Sequence, residues 1–153
     1  MSAALHTLQV LLEQAEAERD QAQRALVEVL QRARAARGQA DSLLQYRGEY
    51  DQRWSGQFKS GGTMEIMRCY QDFSGRLGEA IESQGQRAAQ AEQRVAGARE
   101  RVAALEMRVA SIAKLMARRR AEIERIAARQ DQKLSDELAA RLARQRAPQG
   151  MLP

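Results

Sequence analysis

The sequence predicts an all-α protein: two long helices forming an antiparallel coiled-coil hairpin, with the second helix longer than the first. Three observations predict it. Charged residues make up 29% of the 153 residues and aromatics only 4%, while Ala, Glu, Arg, Gln and Leu dominate, a balance suited to long helices rather than a thick globular core. Apolar and small residues recur at alternating steps of three and four along two stretches, the heptad seam of a left-handed coiled coil. One dense cluster of helix breakers, Ser55-Gly56 and Ser60-Gly61-Gly62-Thr63, separates the stretches.

The first seam runs Leu5, Leu8, Leu12, Ala15, Ala22, Leu26, Val29, Ala33, Ala36, Ala40, Leu43, Tyr50 and Trp54, interrupted by Arg19 and Arg47. It predicts helix one over about 4–55. The breaker cluster predicts a turn over about 56–63, with Gly61-Gly62 favouring the reversal. A turn centred near Lys59 would set Trp54 opposite Met64 and Leu5 opposite Ala113. Thr63 is a suitable N-cap for the next helix, and Glu65 places negative charge in its first turn.

The second seam runs Ile66, Tyr70, Phe73, Leu77, Ile81, Gln84, Ala88, Ala91, Val95, Ala98, Val102, Leu105, Val109, Ile112, Met116, Ile123 and Ile126. It predicts helix two over about 64–146. The steps Phe73–Leu77–Ile81 form a stutter, where a supercoil locally unwinds. Gly75, Gly78 and Gly85 weaken the helix at the same place, which suggests a bend or a contact surface. Both prolines, Pro148 and Pro153, fall beyond the seams, so the hairpin occupies 1–147 and a flexible tail 148–153. Helix two is expected to continue past the end of helix one. Such an overhang needs ion pairs or a partner to stay helical; Glu122–Arg125 and Glu137–Arg141 have the spacing to supply pairs.

The net charge of +5 is concentrated toward the C-terminus: Met116–Ala147 holds nine Lys/Arg against five Asp/Glu. A basic triplet, Arg118-Arg119-Arg120, suits a polar helix face or a cationic face for an acidic protein surface. Its acidic neighbours and lack of aromatics argue against nucleic acid, whose phosphates such a triplet would otherwise contact. No catalytic residues, cofactor or metal site are expected. His6 lacks neighbours at ligand spacing, the single Cys69 has no base beside it, and Gly61-Gly62 is not followed by the Lys-Ser/Thr of a phosphate loop. No stretch approaches the roughly 18 apolar residues of a membrane span, and Met1–Val10 does not read as a secretory signal, so the cytosol is the expected compartment.

All six aromatics, Tyr46, Tyr50, Trp54, Phe58, Tyr70 and Phe73, cluster around the expected turn. Packing at the hairpin tip accounts for Tyr50 and Trp54, which fall on the seam. Tyr46 falls off it, and an exposed aromatic is a typical interface anchor.

Three segments carry a resemblance to a known family. Leu43-Leu44-Gln45-Tyr46-Arg47-Gly48-Glu49-Tyr50 resembles the L-x-x-Y-R-x-E-Y segment of FliJ proteins. Phe73-x-x-x-Leu77-x-x-Ala80-Ile81-x-x-Gln84 is similar to the start of their second helix, and Asp136-Glu137-x-Ala139-Ala140-Arg141 to their D-E-x-A-x-R ending. The resemblance implies a stalk-like coiled coil of the flagellar type III export apparatus, at the cytoplasmic face of the inner membrane and peripheral to it through partners only. Those partners would be the hexameric export ATPase ring, the export gate's cytoplasmic domain and export chaperones. It maps gate binding onto Gln39, Leu43, Tyr46, Tyr50, Phe73, Leu77, Ala80 and Gln84; position 84 is commonly His in the family and here is Gln, which does not titrate near neutrality. The ATPase ring would then meet the open end, Leu5–Ala15 with Met116–Arg146; the resemblance does not name contacting arginines there, and the basic stretch itself suggests Arg118, Arg119, Arg120 and Arg125 as a group. Alternative readings are an injectisome stalk homologue or a generic coiled-coil scaffold.

Overall fold

A computed structural model describes residues 2–150, with side chains from Ala3 to Arg146. Two helices account for nearly all of it: α1, Ser2–Lys59, and α2, Met64–Gly150. They pair as an antiparallel coiled-coil hairpin in which α2 is the longer arm. The residues 151–153 of the expected tail lie outside the described residues, and α2 itself runs through Pro148 to Gly150.

The chain reverses over 60–63. At the end of α1 the Ser60 amide donates to the Gln57 carbonyl (3.1 Å) and the Gly61 amide to that of Phe58 (3.4 Å). Gly61 has φ of 100°, the left-handed conformation that ends many helices and that a side chain disfavours. Lys59 sits in the last turn of α1, where its charge suits the carbonyl end of the helix dipole. Thr63 caps α2 as its sequence predicts: its Oγ1 accepts the Ile66 amide at 3.3 Å.

The turn is shorter than the breaker cluster suggested. Ser55-Gly56 stays helical, because one interior glycine costs only about 1 kcal/mol and the flanking Trp54 and Phe58 rings pack on each other with centroids 5.6 Å apart. The reversal therefore sits between Gly61 and Gly62 rather than at Lys59, which moves the register. Gln39 hydrogen-bonds Gln84 and Tyr50 meets Phe73; each pair is equidistant along the chain from the Gly61–Gly62 bond. Trp54 consequently faces Tyr70, at 5.8 Å between centroids, not Met64. Leu5 shares a groove with Met116 and Arg120, C-terminal to the expected Ala113.

The protein comprises two compact units, Glu18–Leu105 and the chain ends, Met1–Ala17 with Glu106–Pro153. Within the first, Ala22 packs with Val102, Leu105 and Leu26, and Ala33 with Ala91 and Val95 under Leu26, Val29 and Leu30. Within the second, Ala15 and Met116 are the buried apolar residues among those described. Six of the eleven buried apolar residues among the described ones are alanines, so the helices approach closely and the seam is thin. Arg19, which interrupts it, holds its guanidinium 3.1 Å from the Asp20 carboxylate, leaving its aliphatic stem beside the seam. The stutter at Phe73–Leu77–Ile81 leaves α2 unbroken. From Glu124 to Arg146 every side chain is exposed, in keeping with the expected overhang.

Two stability contrasts follow from this packing and are measurable by urea unfolding. Leu105→Ala is expected to lower stability by about 2 kcal/mol, whereas Met107→Ala, 72% exposed, should change it by less than about 0.5 kcal/mol. Gly61→Ala is expected to cost about 1 kcal/mol through its left-handed backbone. Gly75→Ala, whose new Cβ meets no atom within 4 Å, should gain about 0.5–1 kcal/mol.

Candidate partner-binding surfaces

Near the turn, four aromatics of α1 at steps of four meet two of α2. Tyr46 stacks on Tyr50 (6.2 Å between centroids) and meets the edge of Phe73 (6.3 Å). Tyr50 contacts Phe73 at 4.5 Å and stacks on Tyr70 at 5.7 Å. Trp54 and Phe58 carry the chain of rings to the turn, each also touching Tyr70. Ring pairs of this kind add about 0.5–1.5 kcal/mol beyond their buried area. They supply, where the seam has few buried residues, the cohesion that alanines supply elsewhere.

The Tyr70 hydroxyl donates to the Asp51 carboxylate at 2.9 Å and so ties α2 to α1. This bond, with burial and the negative charge of Asp51, favours the neutral phenol and raises the Tyr70 pKa above its ordinary 10.0. Sequence reasoning missed the pair, because Asp51 lies beside the seam position Tyr50 and only the correct register brings it to Tyr70.

Next to the rings lies an open groove of about 780 Å³. Gln39, Leu43, Tyr46 and Gln84 line it, with the small residues Ala35, Gly38 and Ser42 as one wall. Gln84 Nε2 donates to Gln39 Oε1 at 2.7 Å across the groove floor. Tyr46 is 48% exposed, and its ring forms an apolar edge at the groove mouth. The wall was readable in principle: residues 35, 38 and 42 are small at helical spacing beside Gln39, Leu43 and Tyr46.

The eight residues assigned to gate binding thus separate by setting. Gln39, Leu43, Tyr46 and Gln84 form the groove, and Tyr50 and Phe73 belong to the ring stack beside it. Ala80 is exposed. Leu77 is buried at 7% exposure.

Farther along α2, Arg118, Arg119, Arg120 and Arg125 are all exposed. Arg119 pairs with Glu122 at 3.5 Å, both half exposed, a contact worth little by itself. Arg120 borders a groove of about 610 Å³ shared with Leu5, His6 and Met116. Among the described residues no group of His, Cys, Asp and Glu is placed to hold a metal ion. No described helix is long and apolar enough to cross a membrane.

A family model described as the flagellar FliJ protein matches residues 5–148. No curated protein and no solved structure matches the chain.

The Tyr70–Asp51 bond sets a pH dependence. A raised folded-state pKa contributes stability in full below the unfolded value and loses it as pH rises through the folded one. Urea unfolding of the unmodified protein is therefore expected to show stability falling above about pH 10, and Tyr70→Phe should remove that part of the decline.

Proposed function

The chain belongs to the FliJ family, and from that membership we propose that it acts as a stalk in flagellar type III protein export. In this reading its open end enters the ring of the export ATPase, and the Tyr46 groove engages the cytoplasmic domain of the export gate. Export chaperones dock on the same coiled coil, and the protein resides at the cytoplasmic face of the inner membrane through these partners. The single observation that carries the reading is family membership along nearly the whole length. The groove supports it by offering what a docked segment needs: an apolar rim at Tyr46 and Leu43, and an amide pair at its floor whose spare donors and acceptors can order a bound backbone.

Arg118, Arg119, Arg120 and Arg125 suit a ring lined with carboxylates. Attraction between complementary surfaces of this kind speeds encounter and weakens with salt. The work is mechanical: holding two assemblies in register and favouring assembly of the ring. The chain's own residues bind and position, and the energy of export comes from its partners.

Co-purification with the export ATPase and with the gate's cytoplasmic domain tests the proposal. Tyr46→Ala is expected to weaken gate capture about tenfold, the loss of one interface anchor, with helicity by circular dichroism unchanged. Leu77→Ala does not serve this test, because that side chain belongs to the core. Replacing Arg118, Arg119, Arg120 and Arg125 together by Gln should weaken capture of the ATPase and leave gate capture intact. Failure of the unmodified chain to capture either partner defeats the reading.

A further inference from the structure

Leu134, Leu138 and Leu142 follow one another at steps of four along α2 and are 59%, 59% and 57% exposed. Residues at i, i+4 and i+8 lie along one side of a helix, so the three make a continuous apolar row. They fall in the stretch where every described side chain is exposed. A helical segment of this length is marginal in water when nothing packs on it. An apolar row on such a segment is a surface built to be covered.

The charges along the segment say by what. Residues 121–137 hold five carboxylates and three cations, whereas residues 138–146 hold Arg141, Arg144 and Arg146 and no carboxylate. A parallel copy would set each of these arginines against its own equivalent. An antiparallel copy sets the arginine half of each helix against the acidic half of the other. Glu137 and Arg141 lie equally far on either side of Ala139 and on the same flank of the leucine row. A two-fold axis at Ala139 therefore places Glu137 of each copy opposite Arg141 of the other, giving two identical ion pairs beside interleaved Leu134, Leu138 and Leu142.

We propose that a second copy of this chain covers the row, the two α2 ends docking antiparallel about a two-fold axis at Ala139. The contact is isologous, so it closes at two copies and does not propagate. Three leucines per copy make an interface at the small end of those that form specifically, so the dimer is weak and dependent on concentration. The proposal is independent of the export reading.

Sedimentation equilibrium of the full chain tests it. The mass is expected to rise with concentration from 17.2 kDa toward twice that value. Glu137→Arg places Arg against Arg at both contacts, and Arg141→Glu places Glu against Glu. Each variant alone should weaken association about tenfold with helicity by circular dichroism unchanged. An equimolar mixture of the two variants should restore it, because each copy then meets its opposite; a pairing within one helix gives no such rescue. Leu138→Gln should abolish association. A single species of 17.2 kDa at every concentration overturns the proposal, as does a dimer indifferent to these substitutions or a mixture that fails to restore it. Capture of the export ATPase by a chain that never dimerises would overturn the dimer and leave the stalk reading standing.

Discussion

Two helices alone can bury only one stripe from each, so the level at which the chain reverses decides every contact between them. Here that level is held by a left-handed Gly61, the hydroxyl of Thr63 on the first turn of α2, and the ring of Phe58 against Gly62, whose Cβ position would lie 3.1 Å from it. A shift of one residue would turn Gln84 away from Gln39 and Tyr70 away from Asp51. The groove, the ring stack and the Tyr70–Asp51 bond all inherit their geometry from four residues of turn.

The seam constrains the surface in turn. Where Ala22, Ala33, Ala40, Ala88 and Ala91 are buried, the helices come close and large side chains have no room between them. Bulk is displaced to the flanks of the seam or to the region of the turn, where the rings collect. Tyr46 is exposed although it touches Tyr50 and Phe73; at its level the buried residue is Leu77. A thin core thus leaves an aromatic surface open beside the Tyr46 groove.

Periodicity made the architecture legible. Heptad spacing, the breaker cluster and late prolines were enough for two helices, their order and the longer second arm, because helix type and burial follow directly from which residues recur. The turn was less legible. Propensity marks Ser55-Gly56 as strongly as Gly61-Gly62, and only the contact of Trp54 with Phe58 across Gly56 decides that the first pair stays helical. That error of a few residues displaced the register and hid the Tyr70–Asp51 bond. At the candidate surface, sequence resemblance named eight residues, of which Gln39, Leu43, Tyr46 and Gln84 line one groove and Leu77 is buried. Heptad position alone does not tell which of them is buried and which lines the groove.

The exposed end of α2 poses a physical problem that the rest of the fold does not solve. Intrahelical pairs such as Arg119–Glu122 contribute a few tenths of a kcal/mol each, far less than a packed face supplies. Leu134, Leu138 and Leu142 are each more than half exposed among the described residues, so a second molecule can bury them further. In the export reading the arginines that meet the ATPase ring end at Arg125, nine residues before Leu134, about 14 Å along the helix. The ring and a second copy therefore address different stretches of α2, and each stands on its own residues.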